Sequence, residues 1–298
     1  MKNYDLISIV IPFFNEEANV SAMLENVTSV LSSKYNYEII AIDDGSTDNT
    51  FAQLKEVRKK NPELRIIKFR RNFGQTQAMQ AGIDNAAGNI IITMDGDLQN
   101  DPADIPNLLA KMAEGYDVVS GWRKQRKDNI LRCIPSKVAN FLLQYVTGVK
   151  IHDNGCSLKA YDASILKTVR LYSEMHRFIP AFAFLRGARV GELVVKHHPR
   201  TRGVSKYGFS RIWKVLIDLF TLRLVLNFSE RPMVWFGLMS SSLLSLAALV
   251  LFCLIYNWPP NGIVWPGTVL LLVFNSFVLF GYGLICELSV RFRGRADY

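Results

Sequence analysis

Two carboxylates stand two residues apart at the end of a long apolar run. Residues 90–94 read Ile-Ile-Ile-Thr-Met, and Asp95, Asp97 and Gln99 follow at alternate positions. The apolar run predicts a buried strand, and alternate side chains of an extended chain point to the same side. We therefore expect three oxygen ligands at the carboxyl end of a strand, where open α/β sheets bind their ligands. Such oxygens suit Mg²⁺, which typically binds one or two carboxylates together with substrate phosphates.

Strands and helices alternate over the first 120 residues. Besides the strand before Asp95, apolar runs predict strands at residues 8–12, 38–42, 65–69 and 117–120. Helical spacing of apolar residues follows the first strand, and residues 75–85 also form a helical pattern. This alternation predicts an α/β fold with a mostly parallel sheet and helices on both faces. The glycine-rich signatures of dinucleotide-binding and P-loop proteins are absent from the sequence.

The pattern changes after residue 125. Residues 127–132 are polar and predict a loop, and residues 136–145 predict a helix. Residues 206–227 carry apolar side chains on one stripe and basic side chains elsewhere, which is typical of a helix that lies in a membrane interface. An ordinary packed helix is the alternative interpretation of that segment.

Two long stretches near the C-terminus contain no charged residue. They cover residues 232–256 and 263–286, and each exceeds the ~20 residues that a helix needs to cross a bilayer. The turn-forming residues 257–262 separate them, so we predict a transmembrane hairpin. A pair of buried helices in a soluble core is the alternative. Small residues in both spans allow close helix packing, which makes a homo-oligomer compatible with the sequence.

The charge of the chain is concentrated before this hairpin. The net charge is +9, and residues 186–231 hold ten Lys or Arg against three acids. Basic residues beside a span are attracted to anionic lipid, so we favour a membrane surface over nucleic acid as the partner. Arginines flank both ends of the hairpin, which places the N-terminal domain in the cytoplasm by the positive-inside rule. The N-terminus leads into a strand and shows no signal-peptide pattern.

The spacings of the Cys and His residues predict neither a disulfide nor a zinc site.

A series of motifs resembles one known family in order and in spacing. The motifs are residues 10–17 (VIPFFNEE), 42–48 (IDDGSTD), 71–75 (RNFGQ), 95–99 (DGDLQ), 121–123 (GWR) and 200–207 (RTRGVSKY). Together they resemble the family 2 glycosyltransferases of GT-A fold, in particular the polyprenyl-phosphate glycosyltransferases. That group includes the dolichyl-phosphate mannose synthases and the bacterial undecaprenyl-phosphate glucose and aminoarabinose transferases.

The resemblance implies a role for each matching residue. Asp95, Asp97 and Gln99 would hold Mg²⁺ or Mn²⁺ on the diphosphate of a nucleotide sugar. Arg123, Arg132 and Ser136 would receive the phosphate of a polyprenyl lipid, and Asp97, Arg123 and Arg200 would be catalytic. The remaining donor contacts would come from Pro12, Phe14, Glu16, Asp44, Gln75 and Lys206.

These implications predict a metal-dependent inverting transferase that moves a sugar to undecaprenyl or dolichyl phosphate at the cytoplasmic membrane face. The donor is expected to be a UDP-sugar rather than a GDP-sugar, because Gln75 matches the bacterial subgroup. The expected division is a catalytic domain at 1–170, an acceptor-side region with interface helices and a strand at 171–231, and the hairpin with a basic tail at 232–298. A processive polysaccharide synthase and a non-catalytic membrane scaffold or flippase partner are the alternatives.

Overall fold

The computed structural model describes residues 5–124, 144, 148–169, 171, 175–199, 231–256 and 264–293. The chain divides into two compact units, Met1–Asp218 and Leu219–Tyr298. The first unit contains a single sheet and the second contains two long helices. The boundaries of the three-part division expected from the sequence stay a prediction.

The sheet of the first unit has seven strands among the described residues. They are β1 (Ile7–Phe13), β2 (Tyr37–Asp43), β3 (Leu64–Lys68), β4 (Ile90–Thr93), β5 (Val118–Trp122), β6 (Lys159–Asp162) and β7 (Val190–Val194). Their order across the sheet is β3-β2-β1-β4-β6-β5-β7. Strand β6 runs antiparallel to both of its neighbours, whereas the other neighbouring pairs are parallel. The sheet is therefore mixed but mostly parallel, which confirms the predicted fold class.

Helices follow the strands and cover the sheet. They are α1 (Val20–Leu31), α2 (Thr50–Arg58), α3 (Gln75–Asn85), α4 (Ile105–Ala113), α5 (Ala163–Leu166) and α6 (Ile179–Leu185). Alternate β1 residues such as Ile9 and Ile11 are fully buried in one core together with the apolar stripe of α1, which includes Met23 and Leu24. Strand β2 is buried along its whole length, as expected for a strand covered on both faces.

The strand order reverses direction at β1. Strand β2 lies on one side of β1 and β4 on the other, and all three are parallel. Their carboxyl ends therefore open onto one edge of the sheet, where the loops after β1 and β4 leave in opposite directions. A doubly wound sheet binds ligands in the crevice at such a point. The segments that carry Glu16, Asp44 and Asp95 all begin there.

One strand was missed by the sequence patterns. Strand β6 has four residues and is bounded by Lys159 and Asp162, so it shows no long apolar run. Strand β7 lies within residues 171–231, where a strand was expected. Residues 197–198 follow it and form only an isolated bridge, between His197 and Asn100. The predicted loop at 127–132 and interface helix at 206–227 lie outside the described residues.

The second unit is a pair of apolar helices, α7 (Pro232–Ile255) and α8 (Val264–Arg293). Both have the length and the mean hydropathy, 2.4 and 2.3, of membrane-spanning helices, and only 11% of each apolar window is buried. This low burial contradicts the alternative of two core helices, because core helices would be covered. The Ser240 and Ser276 hydroxyls lie 2.8 Å apart and join the two helices. The hairpin is thus as predicted, and the chain is a membrane protein.

Candidate active site

The paired carboxylates lie in a bend rather than in an extended strand. Strand β4 ends at Thr93, residues 96–98 bend, and Leu98 has a φ of +63°. The Asp97 carboxylate accepts a hydrogen bond from the backbone N–H of Gln99 at 3.2 Å. The expectation of three side chains on one face of an extended strand is therefore wrong. The carboxylates still follow the carboxyl end of β4, as predicted.

Asp95 is held by the start of α3 and by its charged neighbours. The Gln75 side-chain amide donates a hydrogen bond of 2.6 Å to Asp95 Oδ1. Burial and the nearby negative charge of Asp97 raise the pKa of Asp95 to about 6, although Ser157, Arg123 and Arg177 oppose the change. A neighbouring carboxylate that raises the pKa of Asp95 in this way is close enough to share a cation with it.

Ser157 fixes the backbone around these carboxylates. Its hydroxyl accepts hydrogen bonds from the Asp95 N–H at 3.2 Å and from the Asn100 side-chain amide at 2.7 Å. Its carbonyl accepts a hydrogen bond from the Thr93 hydroxyl at 2.9 Å. One residue in the loop before β6 therefore contacts the chain before and after the bend, which orients Asp95 towards the crevice.

The donor-side residues are connected across the ends of β1 and β2. The Asp44 N–H donates to Phe13 O at 2.9 Å. The Asp44 carboxylate accepts hydrogen bonds from the N–H groups of Phe73 and Gly74 at 2.7 and 2.9 Å, and from the Asn72 side chain at 3.0 Å. Asp44 thus anchors the 72–74 segment that leads into Gln75. Burial raises the pKa of Asp44 while the two backbone N–H groups oppose it.

The loop after β1 is connected to the turn after β2. The Asn15 N–H donates to Ser46 Oγ at 3.0 Å, and the Thr47 N–H donates to Asn15 Oδ1 at 2.8 Å. The Glu16 N–H donates to Thr50 Oγ1 at 2.9 Å, and its carboxylate accepts from Asn19 at 2.5 Å. These bonds place Pro12, Phe14 and Glu16 on the same side of the crevice as Asp44.

Arg123 stands at the end of β5 in a bidentate ion pair. Its Nε and Nη2 donate to the two oxygens of Asp153 at 2.7 and 3.0 Å. Asp153 is itself fixed by its N–H, which donates to Glu192 Oε1 at 3.1 Å. The ion pair with Asp153 raises the pKa of Arg123 against the opposing effect of burial, and the negative charge of Asp95 adds to this. The guanidinium is therefore permanently charged and pre-oriented near the carboxylates.

A pocket adjoins Asp95 on the side of β6. Its walls come from α3, β4, the loop before β6, β6 itself and residues 176–177. The lining residues are Gln75, Met79, Thr93, Asp95, Asn154, Gly155, Cys156, Ser157, Lys159, Tyr161, His176 and Arg177. Lys159 and Arg177 are the two cationic residues of this lining.

The donor set fits one hard divalent cation with a phosphate ligand. Among the described residues, no group of three or more His, Cys, Asp or Glu could hold a metal by itself. Asp95 and Asp97 offer two carboxylates that repel each other, and Gln99 follows them with a neutral amide oxygen. Such a set leaves coordination positions for phosphate oxygens, as is typical of Mg²⁺ sites.

The structure brings nine of the predicted site residues to this edge of the sheet. They are Pro12, Phe14, Glu16, Asp44, Gln75, Asp95, Asp97, Gln99 and Arg123. Arg132, Ser136, Arg200 and Lys206 lie outside the described residues, so their roles stay predictions. Sequence reasoning missed Asp153, Ser157 and Lys159, which lie in the short loop before β6 and at the first residue of that strand. The only feature of the sequence that could have indicated them is the close spacing of polar residues around Cys156.

Comparisons with known proteins identify the family. The model of "Glycosyl transferase family 2" matches residues 8–170. The chain is 44% identical to a dodecaprenyl-phosphate galacturonate synthase of Rhizobium johnstonii, over 98% of this chain and 89% of that protein. It is 38% identical to an undecaprenyl-phosphate 4-deoxy-4-formamido-L-arabinose transferase of Shewanella sediminis, over 96% of this chain and 87% of that protein.

Solved structures agree on the fold. A glucosyl-3-phosphoglycerate synthase of Mycobacterium tuberculosis, crystallised with Mn²⁺ and UDP, superposes with a TM-score of 0.58 at 18% identity over 74% of this chain and 80% of that chain. A mannosyltransferase of Pyrobaculum calidifontis covers all of this chain and 77% of its own, with a TM-score of 0.52 and 14% identity. The GT-A fold expected from the motifs is thereby confirmed. With half of its length matched by the family model, the chain belongs to glycosyl transferase family 2.

Proposed function

We propose that this glycosyltransferase moves one sugar from a nucleotide sugar to a polyprenyl phosphate. The observation that carries the proposal is the pair Asp95 and Asp97 at the switch point of the sheet, in a chain that also has a membrane hairpin. Both relatives named above act, by name, on a polyprenyl phosphate, and both match almost the whole length of this chain including the hairpin. A lipid acceptor explains why the sheet and the hairpin belong to one chain.

Asp95, Asp97 and Gln99 would hold Mg²⁺ or Mn²⁺ in this enzyme. A cation there would neutralise the negative charge that develops on the leaving nucleoside diphosphate. The protein's own contribution is to keep the two carboxylates together against their repulsion. Gln75 and Ser157 do this by hydrogen bonds to Asp95, and the Gln99 backbone N–H holds Asp97 by a hydrogen bond to its carboxylate.

The nucleotide would lie over the ends of β1 and β2. Pro12, Phe14 and Glu16 would contact the base and ribose together with Asp44, and Lys206 would close over the phosphates. UDP is favoured over GDP by the likeness of Gln75 to the bacterial subgroup. The relatives are named for different sugars, so the sugar itself must be selected by residues outside these motifs.

The acceptor would need no protein base. A phosphate monoester has a second pKa near ~6, so it is mostly ionised at neutral pH. Arg123 would orient this anion together with Arg132 and Ser136, and Arg200 would balance the charge at the diphosphate. The ion pair with Asp153 holds Arg123 in one rotamer, which reduces the entropic cost of aligning two anions. Direct attack by the phosphate oxygen would invert the anomeric centre.

The reaction would take place at the cytoplasmic face. Arg223 and Arg231 precede the hairpin and Arg291, Arg293 and Arg295 lie at or after its end. Positive residues are retained on the cytoplasmic side during insertion, which supports a cytoplasmic location for both ends of the hairpin and for the catalytic unit.

Sugar transfer by the purified full-length protein tests the proposal. A panel of UDP- and GDP-sugars would be offered with undecaprenyl phosphate and Mg²⁺ or Mn²⁺, and the lipid product would be extracted with and without EDTA. We expect one donor to give an EDTA-sensitive lipid product, and Asp97→Ala to abolish it. Metal-dependent nucleotide binding without lipid product would refute the acceptor assignment. Absence of nucleotide binding would support the scaffold alternative.

A further inference from the structure

A buried lysine faces the pocket beside Asp95. Lys159 begins β6 and is only 2% exposed. Its ammonium donates one hydrogen bond, to the neutral carbonyl of Asn154 at 2.9 Å. Among the described residues, no carboxylate lies within ion-pair distance of it. An ammonium has three N–H donors, so its remaining donors are available to the pocket that Lys159 lines.

A buried charge of this kind is costly in the empty pocket. Burial is the main cause that lowers the pKa of Lys159 to about 8, and the positive charges of Arg123 and Arg177 add to it, whereas the negative charge of Asp153 opposes it. Most of the ammonium therefore persists at neutral pH. Removing a charge from water destabilises a fold unless an opposite charge compensates it. A fold that buries Lys159 without a direct ion pair to a carboxylate of the described residues is suited to receive an anion from a ligand.

The other ionisable groups that line the pocket differ in charge. Arg177 is a cation and belongs to a separate helical turn. His176 is neutral, because burial and the charges of Arg177 and Lys159 lower its pKa well below the usual value. The Cys156 thiol is also neutral, since burial raises its pKa to about 11. Asp95 is the single acid in the described lining, and the proposed cation would compensate its charge.

The position of the pocket indicates which part of a substrate would enter it. Asp95 belongs both to the proposed diphosphate site and to the pocket wall. In a nucleotide sugar, the sugar is bonded directly to the phosphate farthest from the nucleoside. A group that extends past Asp95 away from the β1 and β2 ends is therefore the sugar.

We propose that this pocket recognises a carboxylate on the transferred sugar, so that the donor is a nucleotide-activated uronic acid. The inference rests on the proposed function, because it places the sugar relative to the diphosphate at Asp95. Lys159 supplies a charge-assisted hydrogen bond to the carboxylate, and Arg177 lines the same pocket. A neutral hexose, with a hydroxymethyl group in place of the carboxylate, would leave the Lys159 ammonium uncompensated.

Donor pairs that differ only at this group test the inference. Binding and transfer would be compared for UDP-galacturonic acid against UDP-galactose, UDP-glucuronic acid against UDP-glucose, and GDP-mannuronic acid against GDP-mannose, with UDP and GDP alone as references. For the wild type we expect one acid to be preferred over its neutral partner by about 10- to 100-fold, the range of a hydrogen bond to a charged group.

Variants identify the residue responsible for that preference. Lys159→Met should remove the preference for the acid while leaving the binding of UDP and of the neutral donor within about 3-fold. Lys159→Arg should retain part of it. The matched control is Lys167→Met, because Lys167 also donates to a backbone carbonyl, that of Ala86 at 2.6 Å, but does not line the pocket.

The outcomes separate this inference from the proposed function. Wild-type transfer of a neutral sugar without preference for any acid would overturn the inference and leave the proposed function intact. If Lys159→Met weakens the binding of UDP and of the UDP-uronic acid equally, the anion that contacts Lys159 belongs to the diphosphate. If the variant raises only the KM for undecaprenyl phosphate, that anion is the phosphate of the acceptor. Either result would overturn the inference. Absence of lipid product from every donor would overturn both.

Discussion

Gly96 separates the two carboxylates and packs against an aromatic ring. A Cβ at this position would lie 2.5 Å from Cδ1 and Cε1 of Phe13, which real Cβ atoms do not tolerate. Phe13 is buried at the end of β1, so its ring has little room to move. The glycine is thus matched to the phenylalanine, and the pair fixes how closely the bend after β4 approaches β1.

We expect Gly96→Ala to lower both activity and stability. Overpacking of this kind costs about 1–3 kcal/mol, and it would displace the segment that carries Asp95 and Asp97. Turnover and thermal unfolding of the purified protein would measure the effect. The double variant Phe13→Leu with Gly96→Ala should recover activity relative to Gly96→Ala alone. Full activity of the single variant would contradict the matched packing.

His176 makes the stability of the fold sensitive to acid. Its Nδ1 lies 2.7 Å from the Thr76 hydroxyl, and its lowered pKa keeps it neutral in the folded protein. The unfolded chain binds a proton near pH 6.5 that the folded chain does not. The contribution of the neutral His176 to the free energy of unfolding should therefore be complete above pH 6.5. Below that pH it should decrease by up to about 1.4 kcal/mol per pH unit.

Unfolding free energies between pH 5 and 7 would check this. His176→Gln should reduce the slope of the unfolding free energy against pH on the acid side by the amount that corresponds to about one proton, because the titrating imidazole is absent. Thr76→Val is the control, since it removes the hydrogen-bond partner but keeps the imidazole. An unchanged pH slope in His176→Gln would show that other groups cause the acid sensitivity.

At the residue scale, the sequence predicts the carboxylates but not their supports. Asp95 and Asp97 follow a run of apolar residues, so their place at a strand end is predictable. Asp153 and Ser157 act through contacts with residues 30 and 62 positions away. No local spacing encodes such distant partners.

The elements of the first unit were predictable where they are long and apolar. Strand β2 and helix α1 have clear patterns, and both were expected close to their observed positions. The four-residue strand β6 has a charged residue at each end, yet it lies between β4 and β5. Its pairing is decided by the neighbouring strands rather than by its own sequence. Because this strand carries Lys159, the pocket beside Asp95 could not be predicted from the sequence either.

The hairpin packs through small residues. A Cβ on Gly283 in α8 would lie 2.8 Å from Phe236 Cβ and 3.1 Å from Met233 Sδ in α7. Gly283→Leu should therefore separate the helices and lower the thermal stability in detergent, by about 1–3 kcal/mol for overpacking. Gly281→Leu is a matched control, because a Cβ there meets nothing within 4 Å. Equal effects of the two substitutions would contradict the observed packing.

At the scale of the whole molecule, the chain combines a nucleotide-binding type of sheet with a membrane anchor. The sheet unit has its own buried core, whereas the hairpin exposes large apolar side chains such as Leu270 and Phe277. Each unit therefore suits a different solvent. The sequence alone predicted the hairpin as a separate region, because the two long stretches without a charged residue both lie in the C-terminal part of the chain.

Removal of the hairpin should separate nucleotide binding from lipid turnover. A chain that ends at residue 231 should still bind nucleotide with metal and transfer sugar to a short, soluble prenyl phosphate. Transfer to undecaprenyl phosphate in bilayers should fall at least about 10-fold, because the anchor keeps the enzyme at a high effective concentration near its acceptor. Lipid transfer at the full rate by the shortened chain would contradict the anchoring role.

The most direct test of the whole account is the turnover of Asp97→Asn. This substitution keeps the shape of the side chain but removes one of the two charges that would hold the cation on the donor. We predict that kcat/KM for lipid-product formation falls at least about 100-fold, as for loss of a key electrostatic contact, while Asp5→Asn, an exposed control, remains like the wild type. Near-normal, metal-dependent turnover by Asp97→Asn would contradict the account.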